Sequence, residues 1–130
     1  MVDPPGSPVV VRTSAARRAA PWRTSRPILP PAVGGWRGVA LGEWSLEGGW
    51  LRDGHPHDEI TYVLAGELHV TVGAVTEVLG PGDTILVPGG QAARYEAPVA
   101  ARMLFVYGPN PTGAPTTEFA EGPCPDRGAH

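Results

Sequence analysis

The chain has 130 residues, 42% of them hydrophobic, with a formal charge of −3 and a pI ≈ 5.7; this fits one domain with one core. Such mild acidity argues against binding nucleic acid or an anionic membrane through net charge, and no apolar run approaches the ~20 residues of a membrane span. Cys124 is the single cysteine, which leaves no disulfide framework or zinc-knuckle spacing within one chain. Asp3 and Pro4-Pro5 stand where a signal peptide would be basic and then apolar, so the expected location is cytoplasmic.

Gly (18) and Pro (16) are both abundant, and they favour turns and short strands over long helices. Residues 1–35 are rich in Pro, Arg, Ala and Ser. They read as an extended N-terminal arm, with one expected strand at Pro8–Thr13. Residues 36–108 change to short runs rich in Val, Leu, Ile, Thr and Tyr. These are Gly38–Leu46, Glu59–Leu64, Glu67–Val72, Val75–Leu79, Thr84–Val87, Ala92–Glu96 and Arg102–Tyr107. Gly48-Gly49, Gly66, Gly73, Gly80-Pro81-Gly82-Asp83 and Pro88-Gly89-Gly90 punctuate them. No segment holds a helical period. Strands at this spacing predict an all-β sandwich or barrel. Residues 109–130, again Pro-rich, read as a C-terminal tail that wraps the outside.

Asp53, His55, His57 and Glu59 share one parity if their stretch is extended. Carboxylates and neutral imidazoles are ligands for divalent zinc, iron, manganese and nickel. The same groups also suit proton transfer without a metal. A glutamate beside apolar walls has its pKa raised, and a histidine can share its proton.

Two stretches carry a family resemblance: His55-Pro-His57-Asp-Glu59-Ile-Thr-Tyr62-Val-Leu-Ala-Gly66 and Gly80-Pro-Gly82-Asp83-Thr-Ile-Leu-Val-Pro88-Gly-Gly90. Together they resemble the two motifs of the cupin superfamily, over roughly residues 38–107. The resemblance implies a cupin fold, a double-stranded β-helix or jelly-roll barrel of the RmlC-like type. The runs Asp58–Val70 and Arg102–Pro109 further resemble the ethanolamine-utilisation-type cupins, which lack most metal histidines. The acetate kinase role assigned to that type is not carried over, because no phosphate-cradling turn is recognisable here.

Spacing from Glu59 to Gly66 sets the register of this resemblance. It places His55 and Glu59 at ligand positions and Asp53 where metal-binding cupins have a histidine. In this register His57 falls between ligand positions. Pairing His55 with His57 instead would put Thr61 or Tyr62 at the glutamate position and break the glycine spacing. The last ligand, three residues after Gly90, would be Ala93, which cannot coordinate anything.

The expected function is a small-molecule enzyme, an isomerase, lyase, dehydratase or cyclase, that uses acid–base chemistry inside the barrel. Glu59 is the expected base and His55 its partner or the acid. Tyr95, on the same strand face as Ala93, is the expected oxyanion donor. Asp53, His57, Gln91, Trp44 and Trp50 are expected to contact substrate. No cofactor is favoured. The alternatives are a metal-dependent cupin holding its ion on Asp53, His55 and Glu59, and a non-catalytic binding module. A homodimer is the default expectation by family analogy, with core or dimer packing the alternative role for Trp36, Trp44 and Trp50.

Overall fold

A computed structural model describes residues 6–8, 10–12, 15–29 and 38–125. Trp36 lies outside the described residues. The expected all-β architecture is present, and no helix occurs among the described residues; none is therefore long and apolar enough to cross a membrane. The strands are β1 (Arg17–Ala20), β2 (Arg23–Leu29), β3 (Ala40–Gly54), β4 (Glu59–Gly66), β5 (Leu68–Val72), β6 (Val75–Leu79), β7 (Thr84–Val87), β8 (Ala92–Tyr107) and β9 (Glu118–Pro123).

All pairings are antiparallel, and the frame is a long ribbon of β3 against β8, running from Ala40↔Tyr107 to Gly54↔Ala92. This ribbon is the centre of one nine-stranded sheet. Its first half carries β2 and β1 on one side and β4 and β7 on the other. Its second half carries β9 on one side and β5 with β6 on the other. The register of the ribbon shifts between Glu47 and Gly49. Gly48 there adopts a φ of +60°, a conformation that costs a residue with a Cβ about 1–2 kcal/mol.

That bulge sets which side chains face inward. Gly48 alone faces two residues of β8, Pro98 and Val99, and the alternation of β3 inverts there. Before it, Ala40, Trp44 and Leu46 are buried; after it, Leu51 is buried and Asp53 points the same way. Ala93, Tyr95, Ala97, Ala101 and Met103 of β8 complete the lining together with Val63, Leu68, Val70 and Val87. Leu46, Val63, Leu68 and Met103 are wholly enclosed, and burial stabilises by ~1.5–3 kcal/mol for each such side chain.

Three strand expectations need correction. Gly48-Gly49 reads as a break in the sequence, yet hydrogen bonding continues through it as a bulge. Ala92–Glu96 and Arg102–Tyr107 are one strand rather than two. The described part of Pro8–Thr13 is not a strand: Val10 and Val11 are exposed and pair with no strand among the described residues. Strand structure in the arm falls instead on β1 and β2, where β3 offers an edge.

Candidate active site

Strand β3 ends at Gly54 and β4 begins at Glu59, so the connection carrying His55 lies at the barrel mouth. The Pro88-Gly89-Gly90 turn buttresses it. Gly90 N–H donates to the His55 carbonyl at 2.7 Å, and Gly89 N–H donates to Asp58 Oδ1 at 2.9 Å. A Cβ on Gly89 would stand 2.6 Å from the Pro56 carbonyl oxygen, so only glycine allows the approach. From the other side Thr117 N–H donates to the Gly54 carbonyl at 2.7 Å.

Held in this way, His55 sits between two carboxylates. Its Nε2 lies 3.0 Å from Asp53 Oδ2 and 3.3 Å from Glu59 Oε2. An ionised carboxylate only accepts, so Nε2–H donates to Asp53. The other ring nitrogen, Nδ1, lies 3.1 Å from Thr116 Oγ1. Burial pushes the Glu59 carboxyl up to about 7, and the charge of Asp53 adds to this while His55 opposes it. Burial alone would lower His55, but its hydrogen bond to Asp53 and the charges of Asp53 and Glu59 raise it above its ordinary value.

The three groups open on a cavity of about 180 Å³ whose wall also includes Trp44, Leu51, Phe105, Tyr107 and Phe119, with Arg23 and Ser25. Trp44 packs edge-on against Tyr95, with ring centroids 5.3 Å apart. Tyr107 lies opposite Glu59 in the ladder. Burial and the nearby Glu59 and Asp53 charges raise its phenol, so it stays protonated.

Asp53, His55, Glu59 and Trp44 are thus brought together. Four other expected contacts are not part of this wall. The alternation of the expected parity fails between Gly54 and Glu59, and His57 turns aside to pack 4.6 Å from the Tyr107 ring, with its Nδ1 3.2 Å from the Asp58 carbonyl oxygen. Its imidazole is 8% exposed, and burial lowers its pKa. Tyr95 is 1% exposed in the core behind Trp44, its hydroxyl directed toward Thr61. Gln91 is exposed just before β8. Trp50 points to the opposite face because of the Gly48 bulge, and the Arg94 guanidinium lies over its ring at 4.6 Å.

Besides Leu51 of β3, the wall residues that sequence reading leaves unassigned come from three places. Phe105 and Tyr107 alternate on β8, a period visible in Met103-Leu-Phe105-Val-Tyr107. Arg23 and Ser25 come from β2, and Phe119 from β9. These outer strands are tied together by Arg23, whose Nε and Nη2 donate to the two Glu121 oxygens at 2.8 and 3.1 Å. Trp22 Nε1 donates to the same carboxylate at 3.0 Å. The Arg23 hydrogen bond holds the Glu121 pKa below the ordinary carboxylate value.

An antiparallel barrel with a carboxylate–imidazole–carboxylate cluster at its mouth defines a small β-barrel protein with a ligand-sized polar cavity. The cupin-domain model matches residues 42–107, and the chain belongs to the cupin family. It is 38% identical over 53 residues to the acetate kinase EutQ of Salmonella typhimurium, covering 41% of this chain and 23% of that protein. A crystal structure of a putative ethanolamine utilization protein Q, also from Salmonella typhimurium, superimposes with TM-score 0.58 at 25% identity, over 68% of this chain and 70% of that one. An RmlC-like cupin from Shewanella frigidimarina superimposes with TM-score 0.63 at 20% identity, over 74% and 84% of the two chains.

Cupins commonly bind metal, so the donor set bears testing. Ligand atoms of Asp53, His55 and Glu59 all lie within 4.8 Å of one another. Three protein donors with open positions fit a divalent ion. Ala93 is the ladder partner of Asp53 on β8 and supplies no donor. Ala93→His is expected to add a fourth ligand and bind Zn²⁺ or Ni²⁺ more tightly than the unaltered protein in calorimetric titration. Equal affinities would show that position 93 does not face the cluster.

Proposed function

We propose that this cupin is an enzyme that moves a proton on a small organic substrate held in the barrel cavity, with Glu59 as base and His55 as its partner. The observation that carries this reading is the Asp53–His55–Glu59 contact at a cavity walled by aromatic rings. A carboxyl with a pKa of about 7 is half ionised at neutral pH, which suits both removal and return of a proton. Glu59 takes the proton from a carbon beside a carbonyl, and the electron pair moves onto the carbonyl oxygen. Tyr107, not Tyr95, is the phenol on the cavity wall and donates a hydrogen bond to that oxygen. Asp53 orients the His55 ring and favours its protonated form, which returns a proton in isomerisation or lets a leaving group depart in elimination. Lyase, dehydratase, isomerase and cyclase chemistries share this first step.

A second reading is favoured by the convergent donor atoms: a divalent ion on Asp53, His55 and Glu59. When bound, it would act as a Lewis acid toward a carbonyl or lower the pKa of a water.

The test is solvent exchange. A panel of small carbonyl compounds is incubated with the protein in deuterated water, and deuterium at carbon is followed by NMR. Exchange is expected with the unaltered protein, unaffected by chelator, and lost in Glu59→Gln. Exchange that survives Glu59→Gln overturns the assignment of the base. Exchange abolished by chelator and restored by a divalent ion selects the second reading.

A further inference from the structure

The charges around the cavity do not balance. Among the described residues, Arg23 is the one guanidinium in the wall, and both of its donor edges toward Glu121 are engaged. That pair is internally neutral. Asp53, His55 and Glu59 remain, two carboxylates against one imidazole. Arg52 and Arg94, from the same strands, point away and pair with Glu118 and Glu96. Among the described residues, no other arginine lines the wall.

Apart from Leu51 and Ser25, the rest of the wall is aromatic. Trp44, Phe105, Tyr107 and Phe119 surround the space, and the Arg23 guanidinium already rests 5.8 Å from the Phe119 ring centroid. Aromatic rings attract cations through their quadrupoles, and aromatic cages are a common receptor for substituted ammonium groups. An anionic substrate would meet the carboxylates without a free cation to hold it. The volume equals that of about six waters, which suits a ligand of about five to ten non-hydrogen atoms.

We infer that the cavity receives a small organic ammonium ion, its charge held by Asp53 and Glu59 and its alkyl groups enclosed by Trp44, Phe105, Tyr107 and Phe119. This rests on the acid–base reading of the site and names its substrate class: an amine whose reacting carbon is presented to Glu59.

The test uses three probes of similar size: tetramethylammonium, tert-butanol and pivalate. Binding to the full chain is followed in ¹⁵N-resolved NMR spectra, which also report that each variant is folded. Tetramethylammonium is expected to bind at least about tenfold more tightly than tert-butanol, shifting indole and backbone signals around Trp44, and pivalate is expected not to bind. Asp53→Asn and, separately, Phe105→Leu are each expected to weaken the cation several-fold and to weaken tert-butanol by less. Equal or tighter binding of pivalate or tert-butanol overturns the inference. So does cation binding that neither variant alters. Cation binding without carbon exchange in any amine-bearing carbonyl compound supports this inference and sinks the catalytic reading; exchange of neutral carbonyl compounds without cation binding does the reverse.

Discussion

Glu59→Gln is expected to make the protein more stable at pH 8, by about 2 kcal/mol, while removing the proposed base. The sign follows from linkage. Glu59 has a pKa of about 7 in the folded barrel against a reference value of 4.5. Between those pH values the folded state holds a proton that the unfolded state has released, so stability falls as pH rises through that window. His55, also raised, acts in the same direction: its contribution is complete below 6.5 and is lost as pH rises through its folded value. The rise at Glu59 corresponds to roughly 3 kcal/mol for that group alone, and the loss of its charge beside His55 gives part of this back. Urea unfolding at pH 5, 6, 7 and 8 should show a declining midpoint for the unaltered protein and a much flatter one for Glu59→Gln. Parallel pH dependences would mean that Glu59 is not held in a desolvated site.

Gly66→Ala is expected to cost at least about 3 kcal/mol, enough to unfold a domain of ordinary stability in much of its working range. Gly66 ends β4 with a φ of +83°, and a Cβ there would run into the carbonyl oxygen of Ala100. That carbonyl also accepts the Glu67 N–H at 3.2 Å, so it cannot move aside without losing the bond. Gly73 is the matched control. It too has a positive φ, +60°, but nothing lies within 4 Å of a Cβ. Gly73→Ala should therefore cost only the local backbone strain, about 1 kcal/mol. Guanidinium unfolding midpoints separate the two. Similar losses at both positions would show that contact with Ala100 contributes nothing.

The cluster itself was legible in the sequence because its members lie within seven residues of each other, and the Glu59-to-Gly66 spacing distinguished His55 from His57. The barrel was legible from turn residues and β-type runs. What was not legible depends on contacts between distant segments. Trp44 and Trp50 share parity and look equivalent, but one bulge sends them to opposite faces. Arg23 and Glu121 meet from positions 98 apart, and nothing local in either segment announces the pairing. The tail was read as wrapping the barrel; it also supplies Thr116 to His55 and Phe119 to the cavity wall. Tyr95 stands out in the sequence because it lies two residues beyond Ala93 on one strand face; Tyr107 falls on the same face of β8, and depth in the core separates them.

The Gly48 bulge has a meaning for the polarity of the cavity. Arg52, Asp53 and Gly54 are consecutive, and the phase of β3 beyond the bulge decides which of them looks into the barrel. Because the phase of β3 inverts at Gly48, Asp53 turns inward and Arg52 meets Glu118 outside. Without that inversion the guanidinium, not the carboxylate, would face the interior. The electrostatic character of the chamber is therefore set by one glycine five residues before Asp53.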